Sequence, residues 1–431
     1  MSEHARAREE ERAKICRLPW ALASGGFGSV YGSLVLGTIF VLFLDEMGLP
    51  KTHIGLLMAL MFLPGPLALV AAPISARRGF KRVYMWFYTT RKLVAFLIVF
   101  TPAVLERFGI EGVVTYTVAV MSVYGILRVI AETAYYPWIQ EFVPNRVRGQ
   151  YMAISNIVST LVGMAAVRLA GDYIAGADTG LERYQEVIAV GCLFGVASVL
   201  IKLPIKGGAP APERLSQRAH FRQMRVALGD LPFRRFLLGL GVVALATNAW
   251  GTFLPLYMKE EIGLDSGVVL QLQMWSMLGT LLSSYAWGWA ADRLGSRPVL
   301  VSGLMVMALL PPVWLSLPDA AAGGAFWAGV AAAVWGIANI GYSIGHERQL
   351  YVEMVPEKKK TEYMALYYTW TQITAVLSPL IAGWGLDRSP HESASSPYQM
   401  FFLISFLGLL FGIVLLVRAW RPHPHSPPGS P

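Results

Sequence analysis

Long apolar stretches alternate with short polar connections along almost the whole chain. Each stretch reaches about 20 residues, the length at which an α-helix crosses a bilayer core of roughly 30 Å. A membrane barrel would instead show alternating segments of about 10 residues, and the sequence contains none. The pattern predicts twelve transmembrane helices, numbered here as spans one to twelve, at residues 20–43, 54–75, 83–104, 113–139, 151–174, 185–203, 236–258, 267–290, 297–317, 324–348, 363–386 and 398–419.

Two polar motifs occur twice with nearly the same separation. The segment from Glu141 to Ala153 recurs 212 residues later, from Glu353 to Ala365, and the segment from Arg77 to Arg82 reappears from Arg293 to Pro298. A fixed internal period indicates that one structural unit was used twice. The predicted fold class is therefore an all-α integral membrane protein with twelve transmembrane helices in two pseudo-symmetric six-helix bundles.

The polar segments divide the chain into five parts. The longest connection has a flexible stretch from Gly207 to Pro212, and residues 213–228 have the composition of a basic helix at the membrane surface. The predicted parts are an N-terminal tail (1–19), a first bundle (20–203), a linker (204–235), a second bundle (236–419) and a disordered C-terminal tail (420–431).

Composition agrees with a membrane protein, because 55% of the residues are hydrophobic and 15% are charged, against about 25% charged in soluble domains. The tails and connections on the side of the termini hold 26 Lys and Arg, and those on the opposite side hold 5. Basic loops resist translocation, so both termini are predicted to be cytoplasmic in a multi-pass plasma membrane protein (the inner membrane of a bacterium). This bias accounts for the net charge of +9, so the expected partner is the lipid bilayer and not nucleic acid.

Sites for other chemistry are sparse. Cys16 lies in the N-terminal tail and Cys192 in span six, which indicates no disulfide framework. The sequence has no phosphate-binding Gly-x-x-x-x-Gly-Lys-Ser/Thr loop, no cluster of metal ligands and no recognisable catalytic set. We therefore expect neither an enzyme nor a bound cofactor or metal.

The predicted cytoplasmic loops carry a family resemblance. The sequence Gly288-Trp-Ala-Ala-Asp292-Arg293-Leu-Gly295-Ser-Arg297 resembles the Gly-x-x-x-Asp-Arg-x-Gly-x-Arg loop of the major facilitator superfamily. The first-half copy keeps the basic and glycine positions, but it has Ala72 and Ala76 where the pattern has Gly and Asp. After span four, the segment with Glu141, Pro144, Arg148 and Gly149 resembles one in sugar-porter-like members.

The resemblance implies alternating access, in which two bundles rock about a site near the midplane. It also implies a cytoplasmic gate, in which Arg77 and Arg293 lie within reach of Glu141 and Glu353. The alternative is that these residues anchor the loops to lipid headgroups and fix the topology. The candidate gate residues are Arg77, Gly79, Glu141, Arg148, Gly288, Asp292, Arg293, Gly295, Glu353 and Lys360.

Charged residues inside apolar spans are costly, so each is a candidate functional group. Arg128 and Glu132 are spaced to pair along span four, whereas Arg91 and Lys92 are expected to make structural contacts or to reach toward headgroups, because the resemblance makes span three peripheral. The family lines its central cavity with spans one, four, seven and ten. The expected substrate and proton cavity comprises Arg128, Glu132, Tyr135, Tyr136, Trp138, Asn248, Trp250, Asn339, Tyr342, His346, Glu347 and Arg348, the alternative being an internal ion pair that never touches substrate.

The expected function is secondary active transport of a small polar solute. The excess of basic over acidic residues within the spans favours an organic anion, while the turn Tyr135-Tyr136-Pro137-Trp138 favours a sugar-like solute. Glu132 is the expected proton carrier, and His346, whose imidazole ordinarily titrates near neutrality, is the second candidate. Proton-driven export of lipophilic drugs and a non-transporting membrane sensor are the alternatives. The functional unit is expected to be a monomer.

Overall fold

The computed structural model describes residues 9, 11–144, 147–175, 180–210, 228–355, 360–388 and 396–419. These residues form helices, turns and irregular connections, with no strand among them. The C-terminal tail and nearly all of the predicted surface helix at 213–228 lie outside this set.

The α-helices of the described residues follow the predicted spans in order. Eight helical stretches are long and apolar enough to cross a membrane, and that at Phe80–Ile139 contains two of the predicted spans. The prediction of an all-helical membrane protein is therefore confirmed. The helices are α1 (Leu18–Val35), α2 (Thr38–Glu46), α3 (Lys51–Leu60), α4 (Ala68–Arg78), α5 (Phe80–Phe96), α6 (Thr101–Phe142), α7 (Arg148–Ala175), α8 (Gly180–Lys202), α9 (Leu231–Thr247), α10 (Trp250–Glu260), α11 (Ser266–Leu294), α12 (Ser296–Leu315), α13 (Gly324–Arg348), α14 (Lys360–Arg388) and α15 (Pro397–Arg418).

Several spans consist of more than one helix. Span one is α1 plus α2, span two is α3 plus α4, and span seven is α9 plus α10. The long helix α6 changes direction at Gly109, whose φ of 66° is non-helical, so its first turns complete span three and the rest forms span four. Helices α1–α8 make the first half of the molecule and α9–α15 the second.

The break in span one lies between α1 and α2. Gly37 has a φ of +113° there, a conformation that a side chain would disfavour. The break in span seven falls at Asn248 and Ala249, which follow Leu36 and Gly37, respectively, by 212 residues. The internal repeat therefore extends to the interruption of the first span of each half.

The two halves pack through α3 against α14 and through α7 against α11. The backbones approach closely, since a Cβ at Gly55 of α3 would collide with the carbonyl oxygen of Pro379 in α14. We call the end of the bundle with the α2–α3 and α10–α11 connections the distal face. The opposite end, with the N-terminus and the α8–α9 connection, is the terminal face, which the charge bias predicts to be cytoplasmic.

Candidate functional site

A cluster of charged side chains lies inside the first half. Glu132 Oε1 accepts hydrogen bonds from Arg128 Nε at 2.8 Å and from Arg91 Nη1 at 3.3 Å. Arg128 also donates to the carbonyl oxygen of Met61, where span two is interrupted after α3. The Glu132 side chain is 41% exposed and that of Arg91 is 8% exposed. The carboxylate therefore faces the open side of the cluster, with one guanidinium buried behind it.

Two buried lysines belong to the same cluster. Lys92 Nζ lies 3.0 Å from the centroid of the Tyr31 ring and 4.5 Å from that of Tyr88. Lys202 Nζ donates to the Tyr84 hydroxyl at 2.8 Å and lies 4.6 Å from the centroid of the Tyr135 ring. Among the described residues, neither lysine has a carboxylate within 4.0 Å. The groups that face these two amines are aromatic rings and a phenol oxygen, not carboxylates.

The interior cluster, defined as Arg91, Lys92, Arg128, Lys202 and Glu132, thus contains four basic groups and one carboxylate. Desolvating an ionised group without a partner is costly, so an excess of cations at this depth indicates a function. An anion that enters from water would supply the missing counter-charge. The chemistry of the cluster is that of an anion site in which one position is already filled by Glu132.

The structure specifies where four side chains of this region lie. Arg91 is 7% exposed and Lys92 1% exposed, so of the two expectations for them, structural contacts and not reach toward headgroups are observed. Lys202, the last residue of α8, is 6% exposed. Trp138, a candidate for the cavity lining, is fully buried and packs between Tyr84 and Phe142.

The second half contributes a smaller polar group on span ten. His346 Nδ1 lies 3.1 Å from the Tyr342 carbonyl oxygen, and its Nε2 lies 3.0 Å from the Tyr367 hydroxyl. Because a carbonyl only accepts, Nδ1 carries the hydrogen, and Nε2 of the neutral ring accepts from Tyr367. Glu347 is exposed beside this group and has no ion pair among the described residues. Arg348 donates to Ser296 instead.

The other candidates are spread along the same spans. Asn248, at the break in span seven, is exposed, and Asn339 is partly buried. Trp250 is buried, donates to Ser405 Oγ at 3.1 Å and packs against Trp335. The side chain of Tyr136 lies outside the described residues.

At the terminal face, the described residues include no ion pair between Arg77 and Glu141 or between Arg293 and Glu353. Glu141 Oε2 accepts from the backbone N–H of Gly208 in the linker at 2.6 Å, and Arg77 is exposed. Arg293 lies over the ring of Trp289. Asp292, whose side chain is 84% exposed, lies 3.8 Å from Arg348, so its ion pair stays within the second half.

The remaining gate candidates add little. Glycines 79 and 295 have φ values of +91° and +88° at the tight turns they were expected to form. Gly288 and Glu353 are partly exposed, and the side chains of Arg148 and Lys360 lie outside the described residues.

At the distal face, in contrast, ion pairs join the two halves. Lys259 of span seven contacts Asp45 and Glu46 of span one at 2.8 and 2.9 Å, and Lys51 contacts Glu260 at 2.7 Å. Burial lowers the pKa of Lys259, but hydrogen bonds to Asp45 and Glu46 outweigh it, so the pKa is raised above its ordinary value. The sequence showed these acids only as loop charges, because nothing in it pairs them with a partner in the other half.

A further carboxylate strengthens this closure. Asp387, at the end of α14, accepts from the backbone N–H groups of Lys51 and Thr52 at 3.0 and 2.7 Å. These N–H groups begin α3 and have no helical partner of their own. Ion pairs and backbone hydrogen bonds therefore join the two halves at the distal face, whereas none of the ion pairs of the described residues joins the two halves through the candidate gate residues.

Comparison with known proteins agrees with this architecture. The family model of the Major Facilitator Superfamily matches residues 22–345 and 236–431. The chain belongs to this superfamily. A mutant of the nucleoside transporter NupG shares the fold with a TM-score of 0.74 and 11% identity, covering 94% of this chain and 100% of that one. A bacterial homologue of the iron transporter ferroportin in an inward-facing state gives a TM-score of 0.69, with 12% identity over 95% of this chain and 98% of that one.

Two other relatives of this superfamily member are transporters of different kinds. A D-xylose–proton symporter shares the fold with a TM-score of 0.64 and 14% identity, over 93% of this chain and 97% of that one. A Na(+), Li(+), K(+)/H(+) antiporter of Planococcus maritimus is 23% identical over 185 residues, which is 41% of this chain and 40% of the antiporter. The matched part is thus less than half of that relative. At these identities, the solved structures establish the fold and leave the solute open.

Proposed function

We propose that this protein is a proton-coupled secondary active transporter of a small organic anion. The observation that carries the proposal is the position of Glu132 between Arg91 and Arg128, in a cluster with more cations than carboxylates. Membership of a transporter superfamily supports the general activity. The proposed location is the plasma membrane, the inner one of a bacterium, with both termini in the cytoplasm and one chain as the functional unit.

In this proposal, the Glu132 carboxylate occupies the binding position that the carboxylate of the solute takes later in the cycle. While it is ionised, it occupies the hydrogen-bonding groups of both guanidiniums, which are the groups that suit a carboxylate. When it takes up a proton, its attraction for Arg91 and Arg128 falls, and an incoming carboxylate replaces it. The proton stays on Glu132 while the anion stays bound, so proton and anion cross together.

Alternating access follows from the two unequal ends of the molecule. The distal face is held by ion pairs such as Lys259 with Asp45, and these pairs must separate for the site to open on that side. Closure of the terminal face would then bring the loop residues around Arg77 and Arg293 toward the other half. Each pair is worth about 0–1 kcal/mol when solvated, which suits a latch that opens and closes in every cycle.

A metal-cation cargo fits the interior poorly. Four basic groups and one carboxylate repel Na⁺, K⁺ or Fe²⁺ at the site. The described residues also contain no group of three or more His, Cys, Asp or Glu that could hold a metal ion. The cations named for the antiporter and for the ferroportin homologue are therefore not proposed as the cargo of this chain.

A sugar-like solute is the second candidate. Tyr135 lies on the open side of the same cluster, and the ring of Tyr342 stacks on His346 on span ten, so both halves offer aromatic faces and hydrogen-bonding groups. The xylose symporter among the structural relatives has the same fold. Lipophilic export and a non-transporting sensor have no comparable observation in their favour, since the interior of the first half is charged.

The test is uptake by purified protein in liposomes under an imposed pH gradient. Radiolabelled lactate, succinate, citrate and xylose are supplied separately, and we expect a carboxylate, not xylose, to accumulate when the outside is acidic. Glu132→Gln imitates the protonated state, so it should keep carboxylate exchange at equal pH but lose accumulation driven by the gradient. Glu106→Gln, an exposed carboxylate at the start of α6, is the matched control. Undiminished gradient-driven uptake by Glu132→Gln would contradict the mechanism.

A further inference from the structure

A cavity of about 130 Å³ lies beside the breaks in spans one and seven, and we call it the ring cavity. Its aromatic walls are Trp250 and Trp335, whose ring centroids are 4.5 Å apart, together with Trp314. Thr38, the first residue of α2, belongs to the first half, while the other lining residues belong to the second. Anything held in this cavity therefore touches both halves.

The ring cavity has hydrogen-bonding groups without partners. Trp314 is fully buried, and its Nε1 donor has no hydrogen-bond partner among the described residues. The same holds for the acceptor Oε1 of Gln273. Both residues line the cavity. Buried polar atoms are nearly always hydrogen-bonded in folded proteins, so an unpaired donor and an unpaired acceptor at one cavity point to an occupant.

The broken helices add backbone groups of both kinds. The first turn of α2 begins at Gly37 with no side-chain cap, so its N–H groups lack helical partners beside Thr38. In span seven, Pro255 has no N–H to donate to the carbonyl of Gly251, its usual helical partner, and both residues line the cavity. The occupant must therefore both accept and donate hydrogen bonds.

Size restricts the occupant further. A drug-sized ligand needs roughly 300–1,000 Å³, so the ring cavity is too small for a complete ligand of that kind. A cavity of about 150 Å³ holds one benzene molecule. The volume, the flat tryptophan walls and the unpaired polar atoms together fit one planar six-membered ring that bears a hydrogen-bond acceptor and a donor.

We propose that the ring cavity is a binding subsite for one planar, polar six-membered ring of the transported solute. No residue of the interior cluster lines the ring cavity, so the solute would be a carboxylate joined to an aromatic or heteroaromatic ring by a chain. This assignment of a solute rests on the proposed function, because the interior cluster is taken to hold the carboxylate. Since Thr38 and the tryptophans come from opposite halves, filling the subsite would couple solute recognition to the movement of the two bundles.

Two adjacent alanines allow a matched test of the subsite. Ala332 lines the ring cavity, whereas Ala331 lines a separate cavity of about 560 Å³ between α12 and α13. Ala332→Leu fills much of the space for the ring, and Ala331→Leu adds the same side chain next to it. Trp314→Phe keeps one aromatic six-membered ring and removes the five-membered ring that carries the unpaired N–H. It should lower the melting temperature because buried volume is lost, and it should weaken a ligand that accepts from that group.

The experiment measures equilibrium binding of three probes to purified protein: nicotinamide, a neutral ring; succinate, a carboxylate without a ring; and 6-(nicotinamido)hexanoate, which joins both features by a flexible chain. We expect 6-(nicotinamido)hexanoate to bind at least ten-fold more tightly than either of the other two. Ala332→Leu and Trp314→Phe should each weaken nicotinamide and 6-(nicotinamido)hexanoate at least five-fold and leave succinate unchanged, while Ala331→Leu changes none of them.

The outcomes separate the two proposals. If nicotinamide fails to bind, or binds equally well to Ala332→Leu and Trp314→Phe, the ring subsite is wrong whatever succinate does. If nicotinamide binds as expected, but succinate does not bind and the carboxylate of 6-(nicotinamido)hexanoate adds no affinity, and Arg128→Gln leaves all three affinities unchanged, the subsite stands and the anion site is wrong.

Discussion

Lys259 of the second half bridges two carboxylates of the first, its Nζ lying 2.8 Å from Asp45 Oδ2 and 2.9 Å from Glu46 Oε2. The lysine ends span seven and the acids end span one, which are the two spans interrupted at equivalent positions of the repeat. The parts of these spans beyond the breaks, α2 and α10, are therefore held to each other at the distal face. We name this pair of helices the distal cap.

Lys259→Ala should loosen the distal cap. Loss of two partly solvated ion pairs, each worth about 0–1 kcal/mol, should raise the population with an open distal face about two- to ten-fold. Distances between spin labels at Pro50 and Glu261, in a background without Cys16 and Cys192, measure that population. Lys206→Ala, on the exposed linker, is the control, and an unchanged distance distribution in Lys259→Ala would show that the cap is held by packing alone.

The same lysine gives a prediction for pH. Its pKa is raised in the folded protein, so the stabilisation it provides is fully present below its ordinary pKa of 10.5 and is lost only as pH rises through the raised value. Between pH 7 and pH 9, titration of Lys259 should therefore leave the spin-label distances of the wild type unchanged. A widening of the distal face in that range that disappears in Lys259→Met would contradict this assignment.

Lys92→Met should separate a functional from a structural role for the interior cluster. Replacing a buried cation that has no carboxylate partner with an apolar side chain of similar length should leave the melting temperature unchanged or raise it. Loss of the positive charge should weaken succinate binding about ten-fold, which corresponds to about 1.4 kcal/mol. Lys14→Met in the exposed N-terminal segment should change neither quantity. A lower melting temperature with unaltered binding would assign Lys92 to structure.

Gly55→Ala should hinder closure of the distal face. The added methyl group would collide with the Pro379 carbonyl oxygen across the halves, at a cost of about 1–3 kcal/mol that falls only on the closed state. We expect slower transport, with labels at the distal face further apart. Gly32→Ala in α1, where an added Cβ meets nothing within 4 Å, is the control. Equal transport by both variants would mean that α3 and α14 do not have to pack this closely.

Apolar length and repetition were sufficient to predict the helices and their order. Both signals are local, since about 20 apolar residues fix a span regardless of what it packs against. The Arg128–Glu132 contact could also be predicted from a local signal, because residues four apart on a helix share a face. The breaks at Gly37 and Asn248 were missed, since glycine and asparagine are common within apolar runs and no local pattern marks a kink there.

The partners of Lys92, Lys202 and Lys259 could not be read from the sequence. Each lysine is held by residues on a different span, so its environment depends on how the spans are arranged around one another. Lys202 shows the difficulty best, because it ends a span next to the basic linker and yet turns inward to the Tyr84 hydroxyl. Trp138 was assigned to the cavity on residue type, whereas its face of α6 packs into the first half.

The distal cap also makes the protein sensitive to salt on one side of the membrane. Its ion pairs lie at an exposed end, where mobile ions screen charges over about 8 Å at physiological ionic strength and about 3 Å at 1 M. The arginines around Glu132 are mostly shielded by protein from the same ions. In the proposed orientation, with the distal face outside the cell, high external salt would raise the fraction of molecules whose distal face is open before any solute binds.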